Sequence, residues 1–369
     1  MLATKGMSQL AFQPAYTAEK ALRPAKVCVT GVTGFVAGSV VSRLLELGHT
    51  VHGTCRDPAR TDTVVHLTSL PAAAERLKLF KADLLSEGSF DEPVEGCDYI
   101  IHTASPYIVN VAPSEVRSKL LEPAVKGTEH VLSAASKSPS VKRVVLTSSC
   151  AAIYGNPHVF GKEHVYTEAD WNATSTDKVL TYSYSKKLAE ERAWEMAKAQ
   201  SQWKLVVINP AVILGPPLSK RTDSESVSII NQILKGQMYP AAPHMGFGTV
   251  DVRDVAAAHT LAMSHPKAEG RYITVAKSLW VADFARAVKV GFPDSRMRPP
   301  IATIPKWLLW LIGPMAGMSR DIVTHSVNMC PQFNNSKIQS ELGFKFHSPE
   351  AAIKDQVNAM LALGIAKPF

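Results

Sequence analysis

Two short runs in this chain hold residue types with chemistry to offer. The first is Val27-Cys28-Val29-Thr30-Gly31-Val32-Thr33-Gly34-Phe35-Val36-Ala37-Gly38. Gly31 permits a tight turn, Gly34 lets backbone approach a pyrophosphate, and the small Ala37 lets a helix pack closely on the strand before it. Thr33, Phe35 and Val36 fill the rest of that turn, and the free amides of the helix N-terminus face the anion. The second run, Tyr182-Ser183-Tyr184-Ser185-Lys186, sets a phenol and an ammonium four residues apart, on one face of a helix. An ammonium and an oxidised nicotinamide beside the phenol both favour phenolate, so Tyr182 is expected below its usual pKa of about 10. A phenol so tuned is a usable proton donor. A dinucleotide cradle and a proton donor together imply hydride transfer.

The elements that must position these residues follow from periodicity. Apolar strand patterns cover 26–30, 51–55, 77–80, 99–102, 143–147 and 204–208, with helical patterns at 36–47, 123–136 and 182–199. Strands rich in Val, Ile and Leu separated by helices predict an α/β fold, a Rossmann-type doubly wound parallel sheet. Past Gly215-Pro216-Pro217 the rhythm loosens. Helical pieces near 227–234, 252–263, 281–290 and 349–363, with a strand at 271–275, predict a smaller mixed C-terminal lobe over the carboxyl ends of the strands, where ligands of open sheets sit. The expected division is an irregular tail at 1–25, a dinucleotide-binding domain at 26–215 with returning segments around 249–275, and a mainly substrate-binding lobe at 216–369.

Two strand ends refine the chemistry. The second strand ends Thr54-Cys55-Arg56-Asp57. An acidic residue there would take the ribose hydroxyl of NAD, whereas Arg56 is placed to grip the 2′-phosphate of NADPH with its planar fork. A solvated Arg56 beside Asp57 is the alternative. The fifth strand ends in Thr147-Ser148-Ser149, hydroxyls at the mouth of the crevice, either serine being able to hydrogen-bond a carbonyl oxygen. The Tyr-x-x-x-Lys spacing recurs at Tyr16 and Lys20, but ahead of the first strand, where it has no place in the fold.

Composition narrows the classes. The chain has 369 residues, 46% of them hydrophobic, and 40 basic against 32 acidic residues give a net charge of +8. The basic residues are spread along the chain, which favours anionic small ligands and argues against nucleic acid. Five cysteines, odd in number and with no Cys-x-x-Cys pair, argue against a disulfide framework or a metal site and for a reducing, cytoplasmic location. The first 25 residues lack both an apolar secretion core and the arginines of a transit peptide. No apolar run reaches the roughly 18 residues of a membrane span. The expected partner is a small-molecule carbonyl substrate, and the expected assembly a monomer or homodimer.

These residues resemble the extended short-chain dehydrogenase/reductases, in particular the branch of cinnamoyl-CoA reductases and dihydroflavonol reductases. The resemblance is carried by 27–31 with 34–37, Lys81-Ala82-Asp83-Leu84, His102-Thr103-Ala104-Ser105-Pro106, Glu122-Pro123-Ala124-Val125 with Gly127-Thr128, 144–149, 182–190, 206–210 with Leu214-Gly215-Pro216, and Ala268-Glu269-Gly270-Arg271-Tyr272. It implies an NADPH-dependent reductase of an aldehyde, ketone or acyl-CoA carbonyl, with Ser149, Tyr182 and Lys186 as the catalytic triad. Ser149 would orient the carbonyl, Tyr182 protonate it, and Lys186 hold the ribose. Asp83 and Leu84 would flank the adenine, Thr103, Ala104 and Ser105 line the nicotinamide side, and Pro210 and Val212 meet the nicotinamide end. Ser148 is the fallback if the register slips by one.

The chain also departs from that branch. Cinnamoyl-CoA reductases carry a longer signature, Asn-Trp-Tyr-Cys-Tyr-Gly-Lys, where this chain runs Val179-Leu180-Thr181-Tyr182-Ser183-Tyr184-Ser185-Lys186, and dihydroflavonol reductases carry an asparagine where it has Tyr154. The resemblance therefore names no substrate. A 3β-hydroxysteroid dehydrogenase, an NAD-retaining sugar-nucleotide epimerase or dehydratase, and a non-catalytic dinucleotide sensor are the other readings. The apolar run at 307–315 is expected to be a buried lobe helix, ahead of a membrane-dipping helix or a lid. Lys220 and Arg221 are expected in a solvated loop, Cys150 as a small buried residue, and His102 and His259 as structural.

Overall fold

A computed structural model describes residues 23–105 and 111–368. The Tyr16/Lys20 pair, Pro106 and most of the 1–25 tail lie outside the described residues. Seven strands make the central sheet: β1 (Lys26–Thr30), β2 (Thr50–Cys55), β3 (Leu77–Lys81), β4 (Tyr99–His102), β5 (Arg143–Thr147), β6 (Lys204–Pro210) and β7 (Gly270–Thr274). Their spatial order is β3-β2-β1-β4-β5-β6-β7, and every neighbouring pair is parallel. The order reverses between β1 and β4, so a crevice opens beyond their carboxyl ends.

Alternation along the strands feeds two cores. Val27, Val29, Ile101, Val145, Val206 and Ile208 face α1 (Phe35–Glu46) and, from further along the chain, a helix at Val252–Ser264. Cys28, Ile100, Val144, Leu205 and Val207 face α2 (Glu122–Lys137) and α3 (Thr181–Lys198). Both faces are buried, which is why these strands read as nearly continuous apolar runs. The crossover from β2 to β3 contains a helix, Thr61–Thr68, that the sequence pattern does not announce. Its Thr and Val residues are poor helix formers, and it exists by burying Val64 and Leu67 against the first core.

A smaller body follows β6. Val212–Leu214, Gly246–Asp251 and Lys277–Trp280 form a three-stranded sheet. The helices Glu225–Leu234, Val281–Gly291 and Pro349–Ala362 close a third core over it around Phe284, Ile353 and Val357. The expectation of a buried helix at 307–315 is wrong. Lys306–Ile312 is helical, but it buries only Leu309. Trp307, Leu311 and Met315 stand 71%, 58% and 91% exposed.

Helix α3 is fastened to the sheet by a buried ion pair. Glu190 is fully buried and meets Arg271 of β7 at 2.6 Å. Arg271 also donates to the carbonyls of Glu168 and Asp170, at 3.0 and 2.6 Å, and lies over the Trp171 ring. Two charges out of water gain little net stability over an apolar pair, but removing one partner strands the other. Arg271→Met is therefore expected to lower the unfolding free energy by about 3–5 kcal/mol. Urea denaturation measures this, and a loss under about 1 kcal/mol would show that the pair does not hold the helix.

Candidate active site

The glycine turn has the geometry a phosphate cradle needs. Gly31 adopts φ +68°, and a Cβ there would lie 3.0 Å from the Cβ of Ala104 and 3.1 Å from its Cα. Only glycine fits both the backbone angle and the space. The Gly34 amide closes the turn on the Gly31 carbonyl at 2.9 Å, and α1 begins one residue later. Thr30 ties the neighbouring strand end in place: its hydroxyl takes the amides of Thr103 and Ala104 at 3.1 and 3.0 Å and pairs with His102 Nδ1 at 2.8 Å. The Thr103 hydroxyl donates to the Thr30 carbonyl. His102 is thus structural; burial, then the nearby Lys186, lowers its pKa to about 3.

Beyond that turn lies a crevice of about 290 Å³, lined by Gly31, Gly34, Phe35, Val36, Thr103, Ser105, Ser149, Tyr182, Lys186, Pro210 and Val212 among others. Thr33 sits on the turn itself, and Ala104, just past β4, packs against Gly31. Arg56, Asp83 and Leu84 stand just past the paired ends of β2 and β3, outside the lining of this crevice. Arg56 and Asp83 are exposed there. Residues whose spacing or resemblance pointed to one ligand therefore collect along one edge of the sheet, enclosed at one end and open at the other.

A second cavity, of about 1340 Å³, adjoins the first. Val116, Tyr154, Met238, Met245, Phe247 and Ile322 give it an apolar wall. Ser149, Tyr182, Val212 and Glu225 line both cavities. The Tyr182 phenol and the Ser149 hydroxyl are hydrogen-bonded to each other at that junction. Ser148, the alternative, is committed elsewhere: its hydroxyl donates to Glu190 at 2.5 Å in the core. Cys150 is buried with its thiol on the Asn209 carbonyl, and His259 pairs with Thr147, both as expected of structural residues.

The lowering expected at Tyr182 needs an oxidised nicotinamide beside the phenol; the protein's own groups act in the other direction. Burial, then the Glu225 carboxylate, push its pKa up, and the Ser149 hydrogen bond only partly offsets them. A desolvated phenol keeps its proton. Lys186 takes the shift instead, lowered to about 8 by burial against the opposing pull of Glu190. Two further residues make contacts that the sequence does not reveal. Glu190 stands four residues past Lys186, on the same face of α3. It accepts from the Asn209 side chain at 2.9 Å, while that same amide donates to the Ser149 carbonyl at 3.1 Å. The spacing was visible, but its burial was not.

Arg221 is the second. It stands in an exposed loop as expected, and from there its guanidinium donates to the Thr33 carbonyl at 3.2 Å, pairs with Asp223 and lines the crevice. The backbone that opens α3 is also held from a distance. Leu180 adopts φ +49°, in the left-handed region, and its amide donates to Asp321 at 2.6 Å. Nothing local in the sequence marks either contact, because both join segments more than 140 residues apart.

Comparison with known proteins shows the family and the fold. The model of the NAD dependent epimerase/dehydratase family matches residues 27–276. Cinnamoyl-CoA reductase CAD2 of Medicago truncatula is 42% identical over 276 residues, 73% of this chain and 82% of that protein. Tetraketide alpha-pyrone reductase 1 of Arabidopsis thaliana is 34% identical over 341 residues, covering 92% and 96% of the two chains. Among solved structures, Gre2 of Candida albicans in complex with NADPH superposes with a TM-score of 0.75 at 30% identity, over 92% of this chain and 99% of that one.

Gly31→Ala tests the cradle. The added methyl meets Ala104 and strains the turn, so NADPH affinity is expected to fall at least tenfold, about 1.4 kcal/mol, in a fluorescence titration. Unchanged affinity would place the dinucleotide elsewhere.

Proposed function

The chain belongs to the NAD dependent epimerase/dehydratase family, and we propose that within it the protein is an NADPH-dependent reductase of an aldehyde, ketone or acyl-CoA carbonyl, reversibly an alcohol dehydrogenase. The observation that carries this reading is the junction itself. Tyr182 and Ser149, hydrogen-bonded to each other, line both the crevice beyond the glycine turn and the large apolar cavity. The fit of a dinucleotide rests on the Gly31 turn, which only a residue without a side chain can make so close to Ala104. Gly31, Gly34 and the start of α1 would hold the pyrophosphate, Arg56 the 2′-phosphate, and Lys186 the nicotinamide ribose.

When bound, NADPH supplies the hydride. The protein's own part is to hold the carbonyl and feed it a proton. Ser149 donates a hydrogen bond to the carbonyl oxygen, and Tyr182 passes its phenolic proton to that oxygen as negative charge grows there. The Tyr182 phenol carries its proton at neutral pH and is available as the donor; the nicotinamide cation and the Lys186 ammonium would offset the upward push of burial when the cofactor binds. Glu190 and Asn209 touch no reacting atom; they fix where α3 and Ser149 stand.

Tyr182→Phe keeps the ring and removes the proton. Turnover of a panel of aliphatic and aromatic aldehydes, ketones and hydroxycinnamoyl-CoA esters is expected to fall roughly 10²–10⁴-fold, with NADPH affinity unchanged. A fully active variant, or equal affinity for NADH and NADPH in the parent protein, would overturn the corresponding half of the proposal.

The pH profile gives a second test. With Lys186 lowered to about 8, its ammonium is present below that pH and lost above it. The carbonyl-reduction kcat/KM, which reports free-enzyme groups, is expected to be flat below pH 8 and to fall above it. Lys186→Arg, which stays charged, should push that alkaline limb out of range. A parent profile with no limb would contradict the assignment.

A further inference from the structure

The segment at 301–320 presents an apolar surface that the reductase chemistry does not use. Single exposed apolar residues are ordinary on a protein surface, but here Trp307, Trp310, Leu311, Ile312 and Met315 stand 71%, 44%, 58%, 39% and 91% exposed within nine residues. Clusters of this kind mark interaction sites. The helix Lys306–Ile312 buries Leu309, which packs with Val323 and Val327, keeps Leu308 half-buried, and exposes Trp307, Trp310, Leu311 and Ile312. Ile301, 78% exposed, continues the patch at the strand just before the helix.

Charge decides what covers this face. Between Asp294, which is exposed, and Asp321 the chain holds four cations, Arg296, Arg298, Lys306 and Arg320, and no further carboxylate. Arg296, Arg298 and Arg320 are exposed, Arg320 lying over the Trp310 ring at 4.4 Å and Arg298 over the exposed Tyr239 ring at 5.8 Å. Lys306 is anchored on the Thr324 carbonyl at 2.7 Å beside the two tryptophans. Asp321, the first acidic residue beyond the run, takes the Leu180 amide and is one-third exposed. Indole rings and aliphatic side chains with cations beside them, Arg320 on Trp310 and Lys306 next to Trp307 in the chain, are what an anionic lipid–water interface accepts, with apolar groups at the acyl boundary and cations at the headgroups.

We propose that this face docks the protein on the surface of a bilayer carrying anionic headgroups, without spanning it. Among the described residues no helix is long and apolar enough to cross a membrane, so the attachment is interfacial. The same stretch continues into Ala316, Met318 and Ile322 on the wall of the 1340 Å³ cavity. Docking therefore brings the rim of that cavity to the lipid, where an apolar molecule partitioned in the bilayer is within reach of it.

Flotation with vesicles tests the proposal independently of any activity. The protein is expected to float with phosphatidylcholine vesicles containing phosphatidylglycerol, with a blue shift of tryptophan emission, and to release at high salt. The triple variant Trp307→Ala, Leu311→Ala, Met315→Ala removes only exposed side chains. It should keep the parent Tm and bind at least tenfold more weakly. A parent that does not float, or a triple variant that floats as well as the parent, overturns the proposal. So does a parent that is dimeric in solution and becomes monomeric in the variant, since the face then belongs to a second copy of the chain.

Discussion

The buried carboxylate of Glu190 is the contact on which the site depends. It reaches Arg271 on β7, Ser148 at the end of β5 and Asn209 on β6 from one position on α3. Those strands lie side by side in the sheet, so a single side chain fixes the helix against three strand ends. A carboxylate without water is costly unless every lone pair is used. That cost makes the arrangement specific: sliding α3 by one residue would leave the charge unpaired.

Helical geometry converts this anchor into a site. Tyr182, Lys186 and Glu190 recur every four residues and share one face of α3. With Glu190 held, Lys186 is carried into the crevice and Tyr182 to the wall between crevice and cavity. Asn209 spans from Glu190 to the Ser149 backbone, so the serine is positioned by the same network that positions the phenol. The far end of the helix is pinned through Leu180 by Asp321. The smaller body therefore controls where the phenol stands as well as covering it.

The parts of this arrangement that follow from local rules were legible in the chain. Alternating and continuous apolar runs gave the strands at 99–102 and 143–147, because burial on both faces leaves an unmistakable composition. The glycine turn and the Tyr182–Lys186 pair were readable from spacing, and the resemblance to cinnamoyl-CoA reductases agrees with the relatives found. What escaped was long-range. The Glu190–Arg271 pair, Arg221 on the glycine turn and the Leu180–Asp321 contact each join segments far apart in sequence. The upward push on Tyr182 from the protein itself was also hidden, because spacing shows the ammonium four residues away and does not show burial. The apolar run at 307–315 was misread for a related reason. Hydrophobic composition argues for a core, and only the tertiary structure reveals a helix that buries Leu309 and leaves both tryptophans, Leu311 and Ile312 exposed.

The account stands or falls on where a carbonyl oxygen rests. A crystal structure with NADP⁺ and an unreactive ketone measures it directly. The predicted result is a ketone oxygen within about 3.2 Å of both the Tyr182 phenol and the Ser149 hydroxyl, with the nicotinamide lying along Pro210 and Val212. A ketone bound away from Tyr182, or a nicotinamide outside the crevice that Gly31 opens, would contradict it.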